Sequence, residues 1–249
     1  VNSIPEYEAA LDGATGTPLA GKALAGLALA RYETKDLEGA ADLFLQVMTD
    51  YPTFRLSEKT YFWVGQFYAD QQAWDKAAKA FLSLTEAMPE SPEVVQALLR
   101  AGEMRSGAGQ KKAAIALYQQ VREKAPNTPL GLEATYRMGE AYEKLNQMDE
   151  AFALYEEAAD RNSGDAAARA RFRLGELYEA KEDYAAAARS YMRVAILFVH
   201  DELSPKSLWR AAQCYEKDGA LDQAIKTYRE VADNYPATEY APKAAARLG

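Results

Sequence analysis

The sequence has little of what catalysis and metal binding usually need. Its 249 residues hold one histidine, His200, and one cysteine, Cys214. A lone cysteine closes no internal disulfide, and without a second histidine or cysteine at ligand spacing it builds no zinc site. It is expected to be a buried, inert thiol, and His200 a structural or exposed side chain. A single thiol leaves the redox compartment open. The longest fully apolar run, residues 194–199, is far too short to cross a bilayer, so no direct membrane insertion is expected. Positive charge is also scarce: 29 Lys and Arg face 37 Asp and Glu, a formal net charge of −8. That balance does not favour neutralising phosphates, so neither nucleic acid nor an anionic membrane surface is an expected partner. No serine stands in a nucleophile elbow, and Gly107-Ala108-Gly109 lacks the lysine of a phosphate loop. Carboxylate pairs such as Glu156-Glu157 fit solvated helix faces. No catalytic, cofactor-binding or metal-binding residue is assigned.

Two-residue alternation is missing as well, which removes the signal of a half-buried strand. What is present is alanine, the best helix former, together with sparse Gly and Pro that recur at fixed places. A small residue returns every 36 or 37 positions, as Ala28, Gly65, Gly102, Gly139, Gly175, Ala212 and Gly249. Twelve residues after the first six stand Ala40, Ala77, Ala114, Ala151, Ala187 and Ala224. Four further on is an aromatic every time: Phe44, Phe81, Tyr118, Tyr155, Tyr191 and Tyr228. Pro52, Pro89, Pro126 and Pro236 follow eight later, with Ser163 and Val199 in the two remaining places.

Each unit contains two helical patterns. In the fourth, Met138, Ala141, Tyr142 and Leu145 share one face, and Ala151, Leu154, Tyr155 and Ala158 another. Asn146 marks the turn between them, where Gly109 and Gly219 stand in their own units; Asn and Gly accept the left-handed conformation that ends a helix. The proline stops the second helix. The Gly/Ala and Ala columns remove bulk where the two helices cross, and the aromatic is expected to wedge between one unit and the next. One helix pair cannot bury its apolar faces alone, so units must stack.

The sequence resembles the tetratricopeptide repeat family, in which Leu-Gly is followed by Tyr, Ala, an aromatic and Pro. Met138, Gly139, Tyr142, Ala151 and Tyr155 match, as do Leu174, Gly175, Tyr178, Ala187 and Tyr191, while Arg31 and Arg105 depart from the expected Tyr. The resemblance implies an all-α fold, a right-handed solenoid of stacked antiparallel helix pairs. It also implies a non-catalytic interaction scaffold whose first helices line a concave face. The period exceeds the family norm of about 34, and the junctions Asp50-Tyr51-Pro52 and Asn234-Tyr235-Pro236 resemble those of bacterial cell-envelope members. A periplasmic or envelope-associated protein is therefore expected ahead of a cytoplasmic one. The expected repeats are 19–54, 55–90, 91–127, 128–164, 165–200 and 201–237. Residues 1–18 hold a partial preceding repeat, with Tyr7 in the aromatic column and Gly13, Gly16 and Pro18 at its junction, and 238–249 start a seventh. On this reading the chain is an excerpt of a longer array; degenerate end helices are the alternative.

Spacing from the Gly column then selects the candidate partner-facing side chains. Three residues before it are Ala25, Phe62, Leu99, Tyr136, Phe172 and Trp209. Two before are Trp63, Arg100, Arg137, Arg173 and Arg210; one after are Gln66, Glu103, Glu140, Glu176 and Gln213. The aromatics either face a partner or pack unit on unit. Arg100, Arg137 and Arg173 stand where they can pair with the glutamates of their own helices, exposed contacts of only about 0.2–0.5 kcal/mol that a partner can displace, while Arg210 is followed by neutral Gln213. In the family a basic pair four apart belongs to a carboxylate clamp. Arg169 with Arg173 and Lys206 with Arg210 resemble part of one, without its asparagines. The expected partner is thus a protein or peptide, acidic or carboxylate-bearing, held by those four cations with Phe172 and Trp209 as apolar anchors; a plain solvated face is the alternative. Residues 195–199 form a second candidate surface, or a longer core. A polysaccharide-binding module, with sugars stacked on the aromatic ladder, is the other functional reading; an RNA-reading repeat is disfavoured by charge and period.

Overall fold

The computed structural model describes residues 4–12, 18–161, 164–198 and 202–249. Ser163, Val199, His200, Gly13 and Gly16, and with Val199 part of the 195–199 surface, lie outside those residues. Fourteen α-helices and no strand occur among the described residues. They divide into two compact units, residues 1–125 and 126–249. The first contains α1 (Ile4–Asp12) and the pairs α2 (Pro18–Glu33) with α3 (Leu37–Asp50), α4 (Glu58–Asp70) with α5 (Trp74–Ala87), and α6 (Val94–Gly107) with α7 (Lys111–Lys124). The second contains α8 (Pro129–Lys144) with α9 (Met148–Ala159), α10 (Asp165–Ala180) with α11 (Tyr184–Leu197), α12 (Leu203–Lys217) with α13 (Leu221–Asn234), and α14 (Tyr240–Leu248).

The turn inside each pair has a single geometry. Lys35, Gln72, Gly109, Asn146, Glu182 and Gly219 all take positive φ, between 57° and 78°. They stand seven residues after the Gly/Ala column, which is where the left-handed residue must fall to send the chain back along its partner helix. Side-chain caps start several helices: Ser57 accepts from the Thr60 amide, Thr128 from Gly131 and Asp183 from Ala186. The second helices α3, α5, α7 and α13 each end two residues before the proline, Pro52, Pro89, Pro126 and Pro236.

The core is made of the columns themselves. Ala40, Ala77, Ala114, Ala151 and Ala187 are fully buried, and Tyr118, Tyr155 and Tyr191 nearly so. The aromatic proves to serve its own pair before the next. A Cβ built on Gly175 would stand 2.5 Å from Tyr191 Cε1, and one on Gly139 2.6 Å from Tyr155 Cε1. The ring therefore fills the slot the glycine leaves open. Tyr191 then shares a cluster with Ala211 and Cys214 of α12, so it joins adjacent pairs as well. Burial, followed by the Glu179 carboxylate, raises the Cys214 thiol to about 12, in keeping with a buried, unreactive group.

Candidate interaction surface

The first helices of the second unit share an open cleft of about 270 Å³. It is lined by Tyr136, Glu140, Glu143 and Lys144 of α8, Arg169, Phe172, Arg173 and Glu176 of α10, and Leu203 and Lys206 of α12. The sequence-selected residues Tyr136, Glu140, Arg169, Phe172, Arg173, Glu176 and Lys206 are thus brought together. Arg137 is held on its own helix by Glu133 at 2.8 Å and Glu140 at 3.1 Å. Gln213 is half-buried, and Gln66 is exposed. In the first unit Arg100 pairs with Glu103 at 3.0 Å and donates to Gln66.

The aromatic ladder belongs largely to the core. Leu99, Tyr136 and Phe172 are buried; Phe62 and Trp209 are half-buried. Each ring of the ladder lies against the second-helix aromatic of its own pair: Phe62 on Phe81 at 5.6 Å, Tyr136 on Tyr155 at 5.7 Å, Phe172 on Tyr191 at 5.1 Å and Trp209 on Tyr228 at 5.3 Å. Of the two expectations for Phe172, partner anchor or unit packing, the second describes its contact with Tyr191, over which it closes once that ring fills the glycine slot, while it also lines the cleft.

The arginines are also engaged differently from their spacing. Pairing along their own helices occurs, as in Arg173–Glu176. The larger share of their contacts crosses to the preceding helix pair. Glu143 accepts from Tyr155 Oη at 3.0 Å and from Arg173 Nε at 2.9 Å, with Arg173 Nη2 on its other oxygen. Glu179 accepts from Tyr191 Oη at 3.3 Å, Arg210 Nη2 at 2.7 Å and Lys217 Nζ at 3.1 Å. Glu216 accepts from Tyr228 Oη at 2.7 Å and Arg247 Nη1 at 2.9 Å. One three-residue latch thus recurs three times. Its glutamate stands four residues after the Gly/Ala column, its tyrosine is the aromatic column, and its arginine comes two residues before the next residue of the Gly/Ala column. Burial works against ionisation of Glu143 and Glu179, yet Arg173 with Tyr155, and Lys217 with Arg210, hold both carboxyls below their ordinary range. The glutamate column had a sequence signal, three repeats at one offset, but it surfaces only once a partner for the arginines is sought on another helix.

Arg169 pairs across helices with Glu133 and along its own helix with Asp165 at 2.6 Å, and lies over the Tyr136 ring at 4.5 Å. Among the described residues the cleft's cations without a carboxylate partner are Lys144, which is exposed, and Lys206, whose ammonium sits 4.7 Å over Phe172. No group of His, Cys, Asp and Glu among the described residues is arranged to hold a metal ion. No described helix is long and apolar enough to cross a membrane.

Stacked helix pairs with a glycine slot, an aromatic filling it and a left-handed turn between define a helical-repeat protein. Tetratricopeptide repeat patterns match residues 2–53 and 99–166, 168–195, and 206–238. The chain belongs to the tetratricopeptide repeat family. Among solved structures, MamA is 20% identical over 70% of this chain and 90% of its own, with a TM-score of 0.54. PilF of Pseudomonas aeruginosa is 13% identical over 92% of this chain and 97% of its own, at 0.55. Yeast Tom70 is 16% identical over 98% of this chain and 57% of its own, at 0.56. At such identities the likeness is one of fold. Comparison with curated protein sequences found no significant match.

Proposed function

We propose that the chain is a non-catalytic interaction scaffold that takes an acidic, extended segment of a partner protein along the first helices of its second unit. The observation that carries this is the cleft over α8, α10 and α12, where Lys144 and Lys206 make no ion pair among the described residues while every neighbouring arginine is paired. An incoming carboxylate meets these ammonium groups without first breaking an ion pair, whereas taking Arg173 or Arg210 would strip a part-buried glutamate of its guanidinium partner. Of the four cations first selected, Lys206 therefore carries ligand charge, and Arg169, Arg173 and Arg210 shape the wall that presents it. A polysaccharide role asks for accessible rings, and the burial of Tyr136 and Phe172 removes the rungs on which sugars would stack. The long repeats with Tyr-Pro junctions favour an envelope-associated bacterial protein.

The test is titration with a fluorescein-labelled dodecapeptide of alternating Glu and Ser, against its Gln-Ser counterpart. The acidic peptide should bind more tightly and lose affinity as salt rises. Lys144→Glu with Lys206→Glu should weaken it about tenfold with no change in melting temperature. Equal binding of both peptides, or full affinity in the double variant, would overturn the assignment.

A further inference from the structure

In the first unit the latch is replaced residue for residue. At the junction of α2–α3 with α4–α5, its glutamate, tyrosine and arginine positions hold Tyr32, Phe44 and Trp63. These three still meet: Tyr32 stands edge-on to Trp63 at 5.0 Å and 89°, and Phe44 at 6.1 Å and 80°. Phe67 stacks on Trp63 at 5.6 Å. A purely structural exchange of an ion pair for apolar packing should bury what it uses. Here the rings instead border an open cavity of about 290 Å³, lined also by Leu29, Lys59 and Thr60. Leu29 is 51% and Tyr32 40% exposed. Large apolar side chains around a concave opening are the composition of interface anchor sites rather than of ordinary surface.

The size and polarity narrow the occupant. The cavity is at the lower limit of ligand pockets, enough for one large side chain and too small for a cofactor. Its polar side chains are few: the Thr60 hydroxyl already pairs with Ser57 Oγ at 2.7 Å, leaving the Tyr32 hydroxyl and Lys59. A sugar ring needs more donors and acceptors than that, and Phe67 already stacks on Trp63. Lys59 is exposed and has no carboxylate partner among the described residues. We propose that this cavity is a docking subsite for a partner polypeptide that inserts one aromatic or leucine-like side chain against Trp63 and sets an acidic residue beside Lys59. It rests on the scaffold function proposed above, but on residues separate from the charged cleft.

Displayed random dodecapeptides selected on the whole chain provide the test, with each enriched peptide then titrated against variants. Peptides carrying an aromatic or leucine next to Asp or Glu should be enriched. Their affinity should fall at least tenfold with Leu29→Asp, an exposed substitution that spares the core, and with Trp63→Ala, and several-fold with Lys59→Glu. Lys206→Glu should leave the contribution of this apolar residue unchanged. Enriched peptides indifferent to Leu29→Asp and Trp63→Ala but sensitive to Lys144→Glu and Lys206→Glu would overturn the subsite and leave the cleft standing. No enrichment at all would overturn both. Binding of cellohexaose that is lost with Trp63→Ala would make the pocket a saccharide site and equally overturn the proposal.

Discussion

One backbone angle recurs where the side chain on it varies freely. Lys35, Gln72, Asn146 and Glu182 adopt the same left-handed turn as Gly109 and Gly219. A β-carbon in that region costs about 1–2 kcal/mol, while glycine gives back roughly 0.4–1 kcal/mol through the freedom it adds to the unfolded chain. The conformational term is the larger at an exposed turn with little side-chain packing. Glu182→Gly should therefore raise stability by about 0.5–1 kcal/mol, and Gly219→Ala should lower it by about 1 kcal/mol. Urea unfolding of the two variants beside the parent checks this pair of opposite signs. A stabilising Gly219→Ala would mean that the turn is not held in that region in solution. Asn146, Gly109 and Gly219 already stood out in the sequence, because residues that accept this conformation are few. Lys35, Gln72 and Glu182 did not, since their types carry no such preference and only tertiary packing of the two helices imposes it.

Between elements, the decisive contacts join residues that no local pattern couples. A helix pair announces itself through apolar spacing within a dozen residues, which is why the pairs and their turns were legible. The Glu–Tyr–Arg latch spans 12 residues from glutamate to tyrosine and about 30 from glutamate to arginine, and it crosses from one pair to the next. Read along its own helix, Arg173 pairs with Glu176; only the stacked structure adds the two-pronged contact with Glu143. The consequence is energetic. Glu179 keeps only 16% of its side-chain surface while serving Arg210 and Lys217, and charged hydrogen bonds in such settings contribute about 1.5–3 kcal/mol. Glu239 and Lys243 form an exposed pair, 68% and 50% accessible, of the kind that contributes well under about 1 kcal/mol. A double-mutant cycle on Glu179→Gln and Arg210→Met should give a coupling of about 1–2 kcal/mol, and the same cycle on Glu239 and Lys243 about 0.3 kcal/mol. Similar couplings in both would reduce the latch to a surface decoration.

At the scale of the molecule, the two units share one repeat grammar but close their junctions with different chemistry, and that difference sets how each answers acid. The fold class was legible because every column recurs in nearly every unit. The surface was not, because its character depends on which columns are spent inside: the arginines selected as ligands are mostly consumed by glutamates, and Trp63, met as a stray in the arginine column, turns out to border an apolar cavity. In the second unit Glu143 and Glu179 sit below their ordinary range. A carboxyl depressed on folding leaves the unfolded chain binding more protons, so stability rises with pH through that range. The contribution is complete above the unfolded value of about 4.3 and is lost as pH falls through the lower folded value. The first unit has a depressed carboxyl at the same junction as Tyr32, Phe44 and Trp63, Asp42 of α3 accepting from Tyr68 of α4 and Lys76 of α5, but it is 53% exposed and its contribution is screened by solvent. Hydrogen exchange followed from pH 6 to pH 3 should therefore show α10 and α12 losing protection as the pH drops below about 4, with α2 and α4 changing less. The Glu143→Gln, Glu179→Gln double variant should begin less stable and show a flatter acid response in α10 and α12, since its amides have no proton to take up. An acid response in those helices as steep as the parent's would place the sensitivity elsewhere and leave the latch carboxylates without the role their geometry gives them.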